Sequence, residues 1–434
     1  MGKRMKIRFY NARILTMAEG EEIFHGELHV DGERIIYVGT SKNEDENTRQ
    51  TIQWDEEIDC KNNLLMPGFK NAHSHSPMTF LRSYADDLPL QQWLYDRVFP
   101  MEAKLTDRDI QIFAKLGIME YLTSGITANF DMYLDNCNHA KTSLELGYRT
   151  VFCGSVNDYV GSVSWLQEQY DTINSMGDLV SFQLGLHAEY TTKRETIEAI
   201  ADLARQMKKP VYLHLAETKR EVQECKERYH MSPVKFLDSV GLFDNGGGGF
   251  HGVWLSDEDR EILATNKVAI VTCPGSNVKL ASGIADLVAL QKSGIPLAIG
   301  TDGPASNNAL DMFREMHLAA TLAKVKREDA AVMDARDVLR MATVGGARVM
   351  GLTDCETLTA GQLADIIMID LHRPNMQPEH DIQKNIVYSG SKENVKLTMV
   401  NGKILYRNGK FYLPETEESI YAQVRQAMAN LDNR

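Results

Sequence analysis

The feature that most constrains this fold is an alternation of eight apolar segments with amphipathic helical stretches over residues 68–302. Short apolar runs bounded by turn residues are typical of buried strands, and stretches such as Asp107–Ser124 have the period of a surface helix. Eight successive β/α units are what a (β/α)₈ TIM barrel requires. A doubly wound open sheet is the alternative, but no predicted strand is followed by the GxGxxG turn of that fold. The predicted strands are Gly68–His75, Ile126–Tyr133, Arg149–Val156, Val180–His187, Pro210–Glu217, Gly249–Leu255, Val268–Pro274 and Pro296–Asp302.

Short β-rich runs occupy both ends of the chain. Asp31-Gly32 is a turn signal between two of them, and Asn401-Gly402 predicts a hairpin that precedes a helical stretch, Glu415–Leu431. Residues 41–58 are polar and are predicted to form a loop, and the run Gly246–Gly249 is predicted to form a flexible loop.

These patterns predict an α/β chain with two domains. Residues 66–354 would form a metal-dependent catalytic barrel, and residues 1–65 and 355–434 would together form a small β-sandwich domain. A chain of 434 residues is long enough to bury the core of such a barrel.

Composition excludes several classes of partner. The net charge of -13 and a pI of about 5.5 argue against a nucleic-acid or anionic membrane surface. No apolar run has the length that spans a bilayer. The six cysteines are scattered and include no CxxC pair, which favours a reducing cytoplasm over a disulfide framework. We therefore expect a cytoplasmic protein with no nucleic-acid or membrane partner, and the oligomeric state is left open, a homo-oligomer included.

Titratable residues collect at the predicted carboxyl ends of the strands, where barrels place their functional groups. His73 and His75 are two apart, so in a strand their imidazoles project from the same face and could form half of a metal site. Each candidate also has a structural interpretation: a pair of histidines on a wet strand, a buried core histidine, or a helix N-cap for Asp302. The occurrence of such residues together at several strand ends favours a functional site. The further candidates are His187, His214, Glu217, His251 and Asp302.

Seven stretches of the sequence resemble the amidohydrolase superfamily, and within it the branch of nucleoside deaminases and chlorohydrolases. The resemblance covers nearly the whole chain, and it implies the barrel and the β-sandwich split between both termini. The matching stretches are PGFKNAHSHSPM, DDLPLQQWL, FPMEAKLT, HLAETKREV, HGVWL, PGSNVKL and IGTDGPASNN.

The resemblance implies one metal ion per subunit, held by His73, His75, His214 and Asp302. Members with two metals use a carboxylated lysine at the end of strand 4, and Val180–His187 contains no lysine. Three imidazoles and a carboxylate suit Zn²⁺, with Fe²⁺ or Mn²⁺ as alternatives on the same ligands.

The resemblance further implies a hydrolytic deaminase, in which water adds to a ring carbon that bears an amine. Glu217 would donate a proton to the ring nitrogen, His251 would take a proton from the water, and Asp302 would accept a hydrogen bond from it. Glu217 follows His214 by three residues, so strict strand alternation does not place both on one face, but the chain can turn Glu217 inward beyond the strand end. The alternative for Glu217 is a solvated start to the helix Thr218–Tyr229.

Substrate contacts are also implied by the resemblance. Glu102 would accept hydrogen bonds from the ribose hydroxyls, and His187 would contact the sugar or its substituent. Trp93 would form part of the pocket wall. Members of the branch carry a substrate-binding arginine, and Gly154 occupies the matching position here. Loss of the charged guanidinium favours an uncharged 5′-substituent. Arg149 is expected to lie away from the pocket. Ser276, Asn277, Ser306 and Asn307 are left unassigned.

The predicted substrate is therefore an adenosine-type purine nucleoside: 5′-methylthioadenosine, 5′-deoxyadenosine, S-adenosylhomocysteine or adenosine, converted to ammonia and the inosine product. A guanine-, cytosine- or triazine-type deaminase or a chlorohydrolase would keep the metal ligands and change the pocket. A barrel that only binds a ligand is the non-enzymatic alternative. A small zinc deaminase acting on nucleic acid is disfavoured because its PCxxC signature is absent.

Overall fold

The computed structural model describes residues 5–40, 52–134 and 136–434, and its centre is a barrel of eight parallel strands. The strands are hydrogen-bonded in chain order, and each overlaps one of the eight predicted segments. The prediction of a (β/α)₈ barrel is therefore confirmed. The barrel strands are β6 (Phe69–Ser74), β7 (Ile126–Met132), β8 (Arg149–Cys153), β9 (Val180–Ala188), β10 (Val211–Leu215), β11 (Gly247–His251), β12 (Val268–Thr272) and β13 (Leu297–Ile299).

The first and last strands of the barrel meet through the residues that follow β13. The backbone N–H of Asp302 donates to the carbonyl of His73 at 3.0 Å. The backbone N–H of Thr301 donates to the side-chain oxygen of Asn71 at 2.8 Å. These bonds nearly close the barrel, and they bring Asp302 beside the histidines of the first strand.

Helices surround the barrel, and several begin at capping boxes that the sequence specifies. Thr106 and Asp109 cap the helix Asp107–Thr123, and Thr218 and Glu221 cap the helix Lys219–Tyr229. None of the helices in the described ranges combines the length and the apolar character needed to cross a bilayer. The α-helices are Leu90–Trp93, Phe99–Glu102, Asp107–Thr123, Asn136–Leu146, Val163–Asn174, Arg194–Met207, Lys219–Tyr229, Pro233–Ser239, Asp257–Thr265, Pro274–Lys279, Leu287–Lys292, Met312–Arg327, Ala335–Arg340, Gly346–Met350, Ile382–Tyr388 and Glu417–Asp432.

A mixed sheet of nine strands is built from both ends of the chain. Its strands are β1 (Lys6–Ile14), β2 (Phe24–Asp31), β3 (Arg34–Gly39), β4 (Glu56–Asp59), β5 (Leu64–Pro67), β14 (Ile366–Ile369), β15 (Val395–Val400), β16 (Lys403–Arg407) and β17 (Lys410–Phe411). Their order is β17-β16-β15-β14-β5-β1-β2-β3, with β4 parallel to β1. Phe9 and Leu28 from the N-terminal half share a buried core with Ile366 and Leu397 from the C-terminal half. The sequence-derived domain boundaries stay a prediction.

One loop prediction is wrong at its end, and a second is wrong throughout most of its length. Within the segment 41–58, residues 41–51 lie outside the described ranges, but Glu56–Ile58 belong to β4. The glycine run does not form a loop either, because β11 begins at Gly247. A Cβ at Gly247 would lie 2.0 Å from the carbonyl oxygen of Val211 in β10. Close packing against β10, and not flexibility, explains that glycine.

Candidate metal centre and active site

Four buried side chains converge at the carboxyl end of the barrel. His73 lies in β6, His214 in β10 and His251 at the end of β11, and Asp302 follows β13. One donor atom from each of these residues lies within 4.8 Å of the other three. Their convergence follows from the parallel order of the strands, whose carboxyl ends share one rim.

His75 joins this group from just beyond β6. Its Nε2 lies 3.1 Å from Asp302 Oδ1, and its ring centroid is 4.8 Å from that of His73. The structure thus brings all four predicted ligands together, with His251 as a fifth candidate. Which four of the five bind a metal stays a prediction.

Hydrogen bonds orient three of the imidazoles toward one point. Nδ1 of His75 bonds to the carbonyl of Met132 at 2.6 Å, and Nδ1 of His214 bonds to the carbonyl of His187 at 2.7 Å. Nδ1 of His251 bonds to Asn277 Oδ1 at 2.8 Å. With Nδ1 engaged in this way, each ring directs its Nε2, the atom left to bind a metal, into the cluster.

His73 provides the strongest sign that the cluster holds a further group. Its side chain is fully buried, and neither ring nitrogen has a hydrogen-bond partner. Its Nε2 lies 3.5 Å from Asp302 Oδ1. Because an unpaired buried polar atom costs about 1–3 kcal/mol, this arrangement fits a metal ion. The donor set of imidazoles and one carboxylate suits Zn²⁺, Fe²⁺ or Mn²⁺.

The electrostatics of the cluster also suit a cation. Burial lowers the pKa of His73 to about 3 and that of His214 well below its usual range, so both rings are neutral at pH 7. Burial opposes charge on Asp302 as well, but His73 and His75 hold the pKa of its carboxyl well below the usual value. The cluster therefore presents two neutral imidazoles, from His73 and His214, and one carboxylate. Burial opposes charge on His75, but the hydrogen bond and charge of Asp302 raise its pKa to about 9, so metal binding at His75 would release a proton.

Glu217 lies beside the cluster as a second, separate carboxyl group. It is buried, its Oε1 accepts a hydrogen bond from Ser282 at 2.9 Å, and its Oε2 lies 3.8 Å from His251 Nε2. Ala216 has a φ of 50°, and this left-handed residue turns the chain inward between β10 and the helix Lys219–Tyr229. Burial raises the pKa of Glu217, which favours its protonated form. The alternative interpretation of Glu217, as a solvated residue at the start of a helix, is wrong because its side chain is buried.

An inner cavity of about 80 Å³ opens from this cluster. Every residue predicted to contact substrate lines it. Glu102 is buried there, and burial raises its pKa to about 7. A 2.9 Å hydrogen bond between His187 Nδ1 and Thr191 Oγ1 orients the imidazole of His187. The predicted residues that line the cavity are His75, Trp93, Glu102, His187, His214, Glu217, His251 and Asp302.

Comparison with known proteins agrees with the barrel fold. The profile described as the Amidohydrolase family matches residues 64–405. The chain belongs to the amidohydrolase family.

Relatives of this amidohydrolase are similar over nearly their whole length. A 5-methylthioadenosine/S-adenosylhomocysteine deaminase of Caldicellulosiruptor saccharolyticus is 37% identical over 422 residues, covering 97% of each chain. One of Thermococcus onnurineus is 38% identical over 398 residues, covering 90% of this chain and 92% of that relative. Among solved structures, an adenosine deaminase from Xanthomonas campestris with bound zinc is 30% identical, with a TM-score of 0.91 and 99% of both chains covered.

Four functional neighbours in this amidohydrolase were not assigned from the sequence. Asn277 bonds His251, and Ser282 bonds Glu217. Ser276 and Ser306 both donate to Asp302 Oδ2, at 2.6 and 2.8 Å. They lie in the stretches PGSNVKLAS and TDGPAS, which the family resemblance could flag, although no spacing rule shows which side chain each one contacts.

The interpretation of Gly154 is wrong. A Cβ at this position would lie 2.3 Å from Leu166 Cδ1 and 2.7 Å from the Gly185 carbonyl oxygen. That direction leads away from the inner cavity, whereas the neighbouring Ser155 lines it. Gly154 therefore carries no information about the charge of the substrate. Arg149, as predicted, lies away from the pocket, paired with Asp365.

Proposed function

We propose that this amidohydrolase is a metal-dependent hydrolytic deaminase of adenosine-type nucleosides that releases ammonia and the inosine product. The observation that carries the proposal is the buried His–Asp cluster with Glu217 at its edge and Glu102 in the same cavity. The names of the two bacterial and archaeal relatives and of the zinc-containing adenosine deaminase support the same reaction class. The substrate would be a small molecule, and we place the enzyme in the cytoplasm.

One zinc ion per subunit is part of the proposal, held by His73, His75, His214 and Asp302. Fe²⁺ or Mn²⁺ would suit the same ligands. When bound, such an ion lowers the pKa of water towards about 7 and so supplies a nucleophile at neutral pH.

The protein's own groups then account for the proton transfers. Glu217 holds a proton because it is buried, and it donates that proton to the ring nitrogen next to the amine-bearing carbon, which makes the carbon electrophilic. His251 Nε2 lies 3.8 Å from Glu217 Oε2, so it reaches the same face of the ring and takes a proton from the attacking water. Asp302 accepts a hydrogen bond from that water. Carbon–nitrogen cleavage follows: the amine leaves as ammonia with the proton taken up by His251, and the remaining proton of the added water restores protonated Glu217 as the carbonyl forms.

Glu102, His187 and Trp93 would position the nucleoside. A carboxylate accepts two hydrogen bonds, which suits the vicinal hydroxyls of ribose. His187 presents its Nε2 because its Nδ1 is engaged by Thr191. Trp93 is buried and supplies an apolar wall.

The test is ammonia release, followed together with the ultraviolet change from adenine to hypoxanthine. The zinc-loaded protein would be assayed with adenosine, 5′-deoxyadenosine, 5′-methylthioadenosine, S-adenosylhomocysteine, adenine, guanine and cytosine. We expect turnover of the adenosines, reduced by about 10²–10⁴-fold in Glu217→Gln. Glu224→Gln, a more exposed carboxyl on the next helix, is the matched control. If bound metal is demonstrated and no adenosine reacts, the substrate is another aminated or halogenated ring.

A further inference from the structure

The turn that carries Glu217 is held by hydrogen bonds on both of its sides. The Ala216 carbonyl faces the loop after β11 and accepts the N–H of Val253 at 3.1 Å. The N–H groups of the turn face Glu221, which lies on the helix Lys219–Tyr229. The Glu221 side chain is buried, and the proposed reaction gives it no task.

Glu221 accepts hydrogen bonds from three successive backbone N–H groups. Its Oε1 accepts from Ala216 at 2.7 Å, and its Oε2 accepts from Glu217 at 2.8 Å and from Thr218 at 3.4 Å. Ala216 has a φ of 50°, a conformation that residues other than glycine rarely adopt. The bonds to Glu221 stabilise this unusual conformation directly before Glu217.

Two other α-helices begin with a capping box, and their acidic residues make fewer bonds to the backbone. Asp109 accepts the backbone N–H of Thr106 at 2.9 Å, and Asp259 accepts that of Ser256 at 2.8 Å. In the described parts of the chain, neither aspartate accepts a backbone N–H from a residue that precedes the N-cap. The two such bonds that Glu221 accepts therefore exceed what capping a helix requires.

The length of the side chain explains this difference. The acids of the two ordinary boxes are aspartates, whereas Glu221 has one more methylene group. The longer side chain reaches past the N-cap to the two residues before it. A glutamate at this position thus does two things: it caps the helix and it fixes the turn that precedes the helix.

We propose that Glu221 is the positioning residue for Glu217: by accepting the N–H groups of Ala216 and Glu217, it holds the turn that directs the Glu217 side chain at the reacting ring. The inference rests on the proposed deamination, in which Glu217 donates a proton. Of the two glutamates, Glu217 lines the inner cavity and Glu221 does not, so Glu221 acts through the turn. Because a misplacement of about 1 Å can cost about 10²-fold in rate, loss of these bonds should affect kcat more than KM.

Glu221→Asp tests the proposal most directly. Aspartate is the acid of the two ordinary boxes, so this variant should still cap the helix and fold, but its side chain is too short to reach both N–H groups before the N-cap. For an adenosine that the zinc-loaded full-length enzyme deaminates, we expect kcat to fall by about tenfold or more. KM should change by less than about threefold, and elemental analysis should show an unchanged metal content. Glu221→Gln, which has one acceptor oxygen in place of two, should reduce kcat by about 10²-fold.

A double-mutant cycle shows whether Glu221 acts through Glu217. In Glu217→Gln the proton donor is already absent, so adding Glu221→Asp should reduce kcat further by less than about twofold. A general disturbance of the site would instead multiply the two losses. Glu221→Gln enters the same cycle, so the test does not depend on the folding of one variant.

Two controls separate capping from positioning. Thr218→Val removes the hydroxyl that accepts the N–H of Glu221 at 3.1 Å, so it weakens the same capping box and leaves the Glu221 carboxyl in place. Asp259→Asn alters the acid of the capping box on the helix Asp257–Thr265, which does not line the inner cavity. Both variants should lower the midpoint of urea denaturation and keep kcat within about twofold of the wild type.

The outcomes separate the two proposals. Wild-type kcat in folded Glu221→Asp, losses that multiply in the double variant, or an equal loss of kcat in Thr218→Val would overturn the positioning role and leave the deamination standing. Failure of the metal-loaded wild type to deaminate any adenosine would overturn both.

Discussion

The two ends of the barrel both bury ionisable groups, but the hydrogen-bond partners of these groups differ. At the amino end, Asp365 accepts hydrogen bonds from Arg149 at 2.9 and 3.1 Å and from the backbone N–H of Asn401 at 2.8 Å. Lys70 donates to the Gly68 carbonyl at 3.1 Å and to Thr127 Oγ1 at 2.8 Å. At the carboxyl end, His73 is equally buried, and its ring nitrogens have no such partners.

The difference separates ionisable groups that hold the fold together from those that can bind a ligand. Burial alone would raise the pKa of Asp365, but Arg149 and Lys70 lower it, so the carboxylate is fully paired within the protein. Asp365 directly precedes β14, and Asn401 lies in the hairpin turn, so this cluster fastens the barrel to the terminal sheet. At the other end the buried ring nitrogens of His73 have no hydrogen-bond partner, which is the property of a ligand site.

The largest effect should follow from removing the carboxylate at the metal centre. In Asp302→Ala we expect activity to fall by more than about 10⁴-fold, because both the metal and the orientation of water are lost. Elemental analysis should show loss of metal. Ser306→Ala, which removes one hydrogen bond to Asp302 Oδ2, should weaken metal affinity by about 10–100-fold only. Full metal occupancy in Asp302→Ala would contradict the proposed ligand set.

A paired substitution decides between His75 and His251. We expect His75→Gln to lose metal, because the amide of Gln does not replace an imidazole ligand. We expect His251→Gln to keep the metal and lose about 10²–10⁴-fold in kcat, because a proton acceptor is removed. The reverse pattern in metal content would show that the ligands are His73, His214, His251 and Asp302, the four whose donor atoms lie within 4.8 Å of one another.

At the amino end of the barrel, replacing a buried carboxylate by alanine should lower stability and leave catalysis unchanged. Asp365→Ala leaves Arg149 buried without its partner and should lower the free energy of unfolding by about 3–5 kcal/mol. Urea denaturation measures this change, and kcat per folded molecule should remain that of the wild type. Asp202→Ala, which removes an exposed partner of Arg205, should change stability by less than about 1 kcal/mol. Loss of kcat in folded Asp365→Ala would show that the two ends are coupled.

The barrel was predictable from the sequence because its strands are nearly continuous apolar runs, and because parallel order places all carboxyl ends on one rim. His73, His75, His214, His251 and Asp302 were found by that rule together with the family resemblance. The glycines of β11 were misread because their role depends on the distance to Val211 and Leu215, which no local pattern shows.

The finer parts of the site depend on loop geometry. Ser276, Asn277 and Ser306 act through bonds to Asp302 and His251 that exist only once the loops after β12 and β13 have folded. Ala216, His251 and Asp302 all have positive φ values, of 50°, 76° and 59°. Residues other than glycine usually avoid positive φ values, and no sequence pattern predicts them here. Strained backbone of this kind is concentrated at functional sites.

The smallest predicted effect concerns Glu102, a buried carboxyl that, unlike Asp365, has no cationic partner bonded to it. Burial raises its pKa to about 7, so the carboxylate that accepts two ribose hydroxyls predominates only above that pH. The ratio of kcat/KM for adenosine to that for 2′,3′-dideoxyadenosine should therefore rise by about tenfold as the pH increases from 6 to 8. Groups that act on the base affect both substrates equally, so their titration cancels in this ratio. In Glu102→Gln the ratio should not vary with pH, and a flat ratio in the wild type would remove Glu102 from the sugar site.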